Sequence, residues 1–150
     1  MADDKLTWVY ADAVCDLFHA GHVEFFRQAR RLGDRLIVGL VSDEDAATYK
    51  PAPIMSFSER LSVVRACRYV DRVLDQPAPL HCTRGFLDSI GADFACHGDD
   101  FSPTEIAHWY ADLMPSGRIK TVVYTRSISS RELIERIATR LRAGSLRTRL

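Results

Sequence analysis

Apolar and polar positions along the chain alternate between two rhythms, and the switches between them mark its elements. Trp8-Val9-Tyr10 is a short β-forming run, and Val23, Phe25, Phe26 and Ala29 then recur at helical spacing. Gly33-Asp34 stops that helix, and Arg35-Leu-Ile-Val-Gly-Leu-Val41 reads as a buried strand. Ser42-Asp43-Glu44 reads as a loop or helix cap, and Tyr49 to Met55 as a proline-stiffened loop. Ser56 with Glu59 makes a capping box, which opens a helix over 57–68 with Leu61, Val64 and Ala66-Cys67 buried. A strand over 69–74 and a helix over 83–90 stopped by Gly91 come next, then a strand over 93–97. A helix over 104–113, a strand over 118–124, a polar turn over 125–130 and a helix over 131–141 complete the pattern. Strands alternating with helices through short loops predict an α/β fold: a Rossmann-like, doubly wound parallel sheet of about five strands with helices on both faces.

The 150 residues read as one domain, with 143–150 a fraying tail and no internal repeat or low-complexity segment. Charge is balanced, 20 Lys+Arg against 20 Asp+Glu, so no global field points to nucleic acid. No run approaches the ~18 apolar residues of a membrane span. The segment MADDKLTW lacks the basic-then-apolar pattern of a signal peptide, so the expected location is the cytoplasm. Cys15, Cys67, Cys82 and Cys96 show no metal-ligand spacing and read as core thiols, with Cys15 set apart because it lies in the turn after the first strand.

That turn carries the chemistry. A strand entering a turn and then a helix presents free backbone N–H groups and a positive dipole end, which is an anion site before any side chain is counted. His19 and His22 sit at the join, and Gly21 between them allows close backbone approach. Lys50, the Gly98-Asp99-Asp100 loop and the turn over 125–130 should open at the same sheet edge.

The segment DLFHAGH resembles the HxGH signature of the nucleotidylyltransferase superfamily, and YADAVCDLFHAGH resembles its cytidylyltransferase branch more narrowly. Asp16, His19, Gly21 and His22 match the pattern, while Ala13 replaces its first glycine. KPAPIMSFSER, HGDDF and YTRSISSR extend the resemblance from about Tyr10 to Ile137. In the last segment Thr125, Ile128 and Ser129 match and Ser130 stands in for Thr, but Tyr124 and Ser127 replace an arginine and a glycine.

The resemblance implies an Mg²⁺-dependent enzyme that moves CMP from CTP onto a small phosphorylated alcohol or phosphonate acceptor and releases pyrophosphate. It implies catalytic roles for His19, His22 and Lys50. It places Ala13, Cys15, Asp16, Gly21, Asp99, Thr125, Arg126, Ile128, Ser129 and Ser130 at the nucleotide, with Arg126 or Arg131 replacing the lost arginine. Arg60, Asp100 and Phe101 are placed at the acceptor, and Asp16 is read as orienting the turn rather than binding metal. A choline acceptor would want an aromatic cage, for which Trp109, Tyr110, Phe101 and Tyr69 are candidates. Arg68-Tyr69-Val70-Asp71 resembles the family's dimer contact, so a homodimer is implied. An adenylyltransferase of the same fold, and a nucleotide-binding regulatory domain without turnover, stay open as alternatives.

Overall fold

The computed structural model describes residues 5–124, 126 and 128–146. In chain order these form β1 (Trp8–Ala13), α1 (Ala20–Arg30), β2 (Arg35–Leu40), α2 (Asp43–Ala46) and α3 (Phe57–Arg65). There follow β3 (Arg72–Val73), α4 (Arg84–Ile90), β4 (Phe94–Gly98), α5 (Pro103–Trp109), β5 (Ile119–Val122) and α6 (Ser130–Arg142).

All neighbouring strands are parallel, in the order β3-β2-β1-β4-β5. Strand pleating sends alternate side chains to opposite faces, and both faces are filled. Val9, Ala11, Leu36, Val38 and Cys96 pack against Phe26 and Ala29 of α1 and Val64 of α3. Tyr10, Ile37 and Ala95 pack on the other side against Leu87 of α4 and Ile106 of α5. This is the doubly wound sheet expected from the sequence. The winding reverses between β1 and β4, and in an open parallel sheet the crevice beyond the strand ends at that reversal receives ligands.

The capping chemistry behaves as its residue types dictate. Ser56 and Glu59 form the reciprocal box at the start of α3, Thr83 caps α4, and Gly91 ends α4 at φ 73°. Edge elements are shorter than expected. The strand expected over 69–74 is reduced to Arg72–Val73, because Asp71 folds back to accept from the Leu36 N–H at 2.8 Å while pairing with Arg30 and Arg35. The helix expected over 57–68 ends at Arg65, and that over 104–113 ends at Trp109, where Tyr110 leaves helical geometry. β5 ends at Val122, since Asp99 takes the Tyr124 N–H at 2.7 Å. No helix among the described residues is long and apolar enough to cross a membrane.

Candidate active site

The turn from β1 into α1 holds two non-glycine residues in the left-handed region, Cys15 at φ 57° and Leu17 at φ 48°. Such backbone is costly and persists only where its surroundings enforce it. Just after it, two histidines close the turn onto the helix. His19 is the N-cap of α1, and its Nδ1 accepts from the Gly21 N–H at 3.0 Å. His22 Nδ1 accepts from the His19 N–H at 3.1 Å. The box usually built from a hydroxyl and a carboxylate is built here from two imidazoles, whose ring centroids lie 3.9 Å apart.

With both Nδ1 atoms acting as acceptors, each neutral ring carries its proton on Nε2. Burial lowers the pKa of His19, and burial, the neighbouring His19 and Lys50 together push that of His22 down to about 3. Both rings are therefore neutral Nε2–H donors at neutral pH. A histidine depressed on folding keeps its full stabilisation above its unfolded pKa of ~6.5 and loses it as pH falls toward the folded value. Unfolding free energy should thus drop between pH 6.5 and 4 with a His22 contribution of up to ~1.4 kcal/mol per pH unit. Urea titrations of the parent and His22→Gln across that window check this, and equal slopes in the two proteins would refute it.

Three segments are fastened to this turn. The Asp16 carboxylate accepts from the Ile54 and Met55 N–H groups, each at 2.9 Å, and so holds the loop that begins with Lys50. Ser130 Oγ donates to the Asp16 carbonyl at 2.6 Å, tying the start of α6 to the start of α1. A Cβ at Gly21 would lie 2.8 Å from the His19 ring and 2.9 Å from the Ile128 carbonyl oxygen, so only glycine lets these elements close up.

The result is a cleft of about 730 Å³ over the β1–β4 reversal. His19, His22 and Lys50 line it, as do Ala13, Asp16 and Gly21. Asp100, Phe101, Ile128, Ser129 and Ser130 line it as well. The convergence expected of the sequence motifs is present for these residues.

A smaller chamber of about 60 Å³ adjoins the cleft, with Asp12, Lys50, His97 and Phe101 lining both. Asp12 accepts from the Tyr110 hydroxyl at 2.5 Å, and burial holds its carboxyl above the usual range. Tyr49, Phe101, Trp109 and Tyr110 form its aromatic walls, and Phe101 stacks on His97 at 4.0 Å. Of the four cage candidates, Tyr69 is elsewhere, packed into the core on the α1–α3 face of the sheet. Asp12, Tyr49 and His97 were missed as site residues. Asp12 and His97 were signalled by position, at the C-terminal ends of adjacent parallel strands, and His97 also by opening the HGDDF segment.

Three other expectations need correcting, and one lies outside the described residues. Arg60 is fully buried and lines neither the cleft nor the chamber beside it. Its guanidinium donates to the carbonyls of Val14, Val41 and Met55 and pairs with Asp43, closing the ends of β1 and β2 against α3. Replacing it should leave those carbonyls without donors: Arg60→Met is expected to lose on the order of 3 kcal/mol of stability by urea denaturation. An Arg60→Met protein of parental stability with a raised acceptor KM would restore the acceptor role. Cys15 lines the cleft as expected, with its thiol buried and its pKa raised by burial to about 12. Asp99 does not line the cleft, because its carboxylate is committed to the Tyr124 N–H. Arg126 is exposed and away from the lining. Thr125, like Ser127, lies outside the described residues.

A cytidylyltransferase-like family model matches residues 10–136. The ethanolamine-phosphate cytidylyltransferase of Dictyostelium discoideum is 40% identical over 130 residues, which cover 86% of this chain and 36% of that protein. Choline-phosphate cytidylyltransferase A of Homo sapiens is 37% identical over 132 residues, covering 86% of this chain and 36% of that protein. The chain thus spans about a third of the length of these curated relatives (36% of each). Among solved structures, the lipopolysaccharide core biosynthesis protein from Thermoplasma volcanium GSS1 superposes with a TM-score of 0.65 at 23% identity, over 83% of this chain and all of that one. At that identity the likeness shows the fold alone.

Proposed function

Because the chain belongs to the cytidylyltransferase-like family, we propose that it moves CMP from CTP onto a small phosphorylated amino-alcohol and releases pyrophosphate. The observation that carries this is the pair of neutral Nε2–H donors at the start of α1, facing one cleft with Lys50.

In this reading a phosphate oxygen of the acceptor attacks the α-phosphorus of CTP. The bond from that phosphorus to the bridging oxygen breaks, and pyrophosphate carries away the electron pair. No covalent enzyme intermediate is needed, so the protein's work is to hold the groups in line and to stabilise charge on the equatorial and leaving oxygens. His19 and His22 donate to those oxygens from Nε2, and Lys50 adds the mobile positive charge. The serines act through their backbone. The Ser129 hydroxyl caps Glu132 N–H and the Ser130 hydroxyl is spent on Asp16, which leaves the first N–H groups of α6 for the phosphate tail.

Mg²⁺ fits as a passenger of the triphosphate. Among the described residues no cluster of three His, Cys, Asp or Glu side chains forms a cage, Asp16 is consumed by backbone N–H groups, and Asp12 is held by Tyr110. Asp100, part-exposed in the cleft, is the carboxylate positioned to take one coordination place; the ion would supply charge neutralisation on the phosphate oxygens.

The chamber favours a cationic acceptor, since aromatic walls around a buried carboxylate stabilise an ammonium group. A phosphorylated amino-alcohol is thus preferred over glycerol-3-phosphate or a phosphonate lacking an amine, and phosphoethanolamine is placed ahead of phosphocholine because the ethanolamine-phosphate relative is 40% identical and the choline-phosphate relative 37%. A homodimer through the Arg68–Asp71 corner is part of the proposal, to be checked by light scattering.

The test is pyrophosphate release with CTP or ATP against an acceptor panel. CTP with phosphoethanolamine should give the highest kcat/KM. CTP binding by calorimetry without pyrophosphate release from any acceptor would replace this reading with that of a regulatory nucleotide-binding domain, and preferential use of ATP would replace it with an adenylyltransferase.

A further inference from the structure

The phosphate tail of a nucleoside triphosphate brings several negative charges into the cleft, yet few fixed cations line it. His19 and His22 are neutral, Arg60 is enclosed elsewhere, and Arg126 stands outside the lining. Among the described residues the lysines and arginines that line the cleft are Lys50 and Arg131.

Arg131 stands where a helix does not want it. It is the second residue of α6, at the positive end of the helix dipole, where a cation is unfavourable. Its Nε donates to Glu135 at 3.0 Å, but with both side chains mostly in solvent that pair contributes little. The pair also has its cation N-terminal to its anion, the weaker order for an i,i+4 pair. Arg131, Ile134 and Glu135 all line the cleft, so this face of α6 looks onto the histidines. The contact of the Ile128 carbonyl with Gly21 sets the start of α6 directly beside the start of α1. An anion lodged between two helix N-termini reverses the sign of the Arg131 problem, because the cation then meets its counter-charge.

We infer that Arg131 binds the terminal phosphates of the nucleotide, the part that leaves as pyrophosphate, and that Glu135 is the partner it holds before the nucleotide arrives. This rests on the CTP reading above and adds a residue to it. The arginine missing at position 124 is then replaced from the first turn of α6, across the loop.

Calorimetry with CTP and with CMP tests this on the parent, Arg131→Ala, Arg131→Lys and Arg136→Ala. Arg136 lies on the same helix, exposed and away from the cleft, and is the charge control. Arg131→Ala should weaken CTP binding ~10–100-fold, the range for losing a charge-assisted hydrogen bond, and change CMP binding less than twofold. Arg131→Lys should recover part of the loss, and Arg136→Ala should bind as the parent does. The melting temperature of Arg131→Ala should not fall, because the helix loses an unfavourable end charge. Unchanged CTP affinity in Arg131→Ala, or an equal loss for CMP, overturns the inference while the CTP reading stands. A parent that binds no CTP overturns both.

Discussion

His19→Asn should fold as the parent does and turn over ~10²–10³-fold more slowly, the cost typical of removing one preorganised donor from a developing anion. Two functions are fused in this ring, and asparagine separates them. The cap function resides at Nδ1, which accepts the Gly21 N–H, and an asparagine Oδ1 can take that place as a favoured N-cap. The His22 Nδ1 bond to the backbone of residue 19 is also retained. The donor on Nε2 has no counterpart, because the shorter amide does not reach where the far side of the ring stood. His19→Ala removes both functions and should additionally lose ~1 kcal/mol of stability. If His19→Asn keeps kcat within tenfold of the parent, the ring only shapes the helix start, and the donor assignment fails with it.

What the sequence disclosed followed from chemistry that is local in the chain. The strand–turn–helix join, the Ser56–Glu59 box and the Gly91 stop each depend on residues within four positions of one another, so a reader of the sequence can see both partners. The alternation of strands and helices was equally open, because each element must bury one face. What stayed hidden was set by distant partners. Arg60 looks like any surface arginine on α3 until β1 and β2 bring the Val14 and Val41 carbonyls around it. Asp12 looks like a polar interruption after a β run, yet it pairs with Gly39 inside the sheet and meets Tyr110 across 98 positions. The smaller chamber takes walls from residues near 12, 49, 97 and 110, and no short pattern records such an assembly. Edge strands were overestimated for the same reason: Asp71 and Asp99 take backbone N–H groups at the sheet margin, a competition that propensity does not express.

Lys50→Met should be as damaging as the loss of a histidine, and for a different reason. Lys50 sits in the cleft wall with its ammonium 5.6 Å from the Tyr49 ring centroid, exposed and in no ion pair among the described residues. Its loop is fixed at the far end by Asp16 and stiffened by Pro51 and Pro53, so the side chain can swing while its base stays in place. A unit charge ~4 Å from a phosphoryl oxygen at an effective dielectric of 20 is worth about 4 kcal/mol, or about 10³ in rate where the charge is greatest in the transition state. Methionine keeps the apolar stem out to Cε and removes the ammonium group. Thermal stability should therefore hold, CTP affinity should weaken by ~10-fold, and kcat should fall by ~10³-fold, since binding captures only the ground-state share. The His22 pKa should rise, because the nearby positive charge is one of the forces depressing it. A chemical-shift titration of the His22 ring alongside steady-state kinetics reads both effects from one variant. A kcat within tenfold of the parent would return Lys50 to the status of a solvated loop lysine and leave the cleft without its mobile cation.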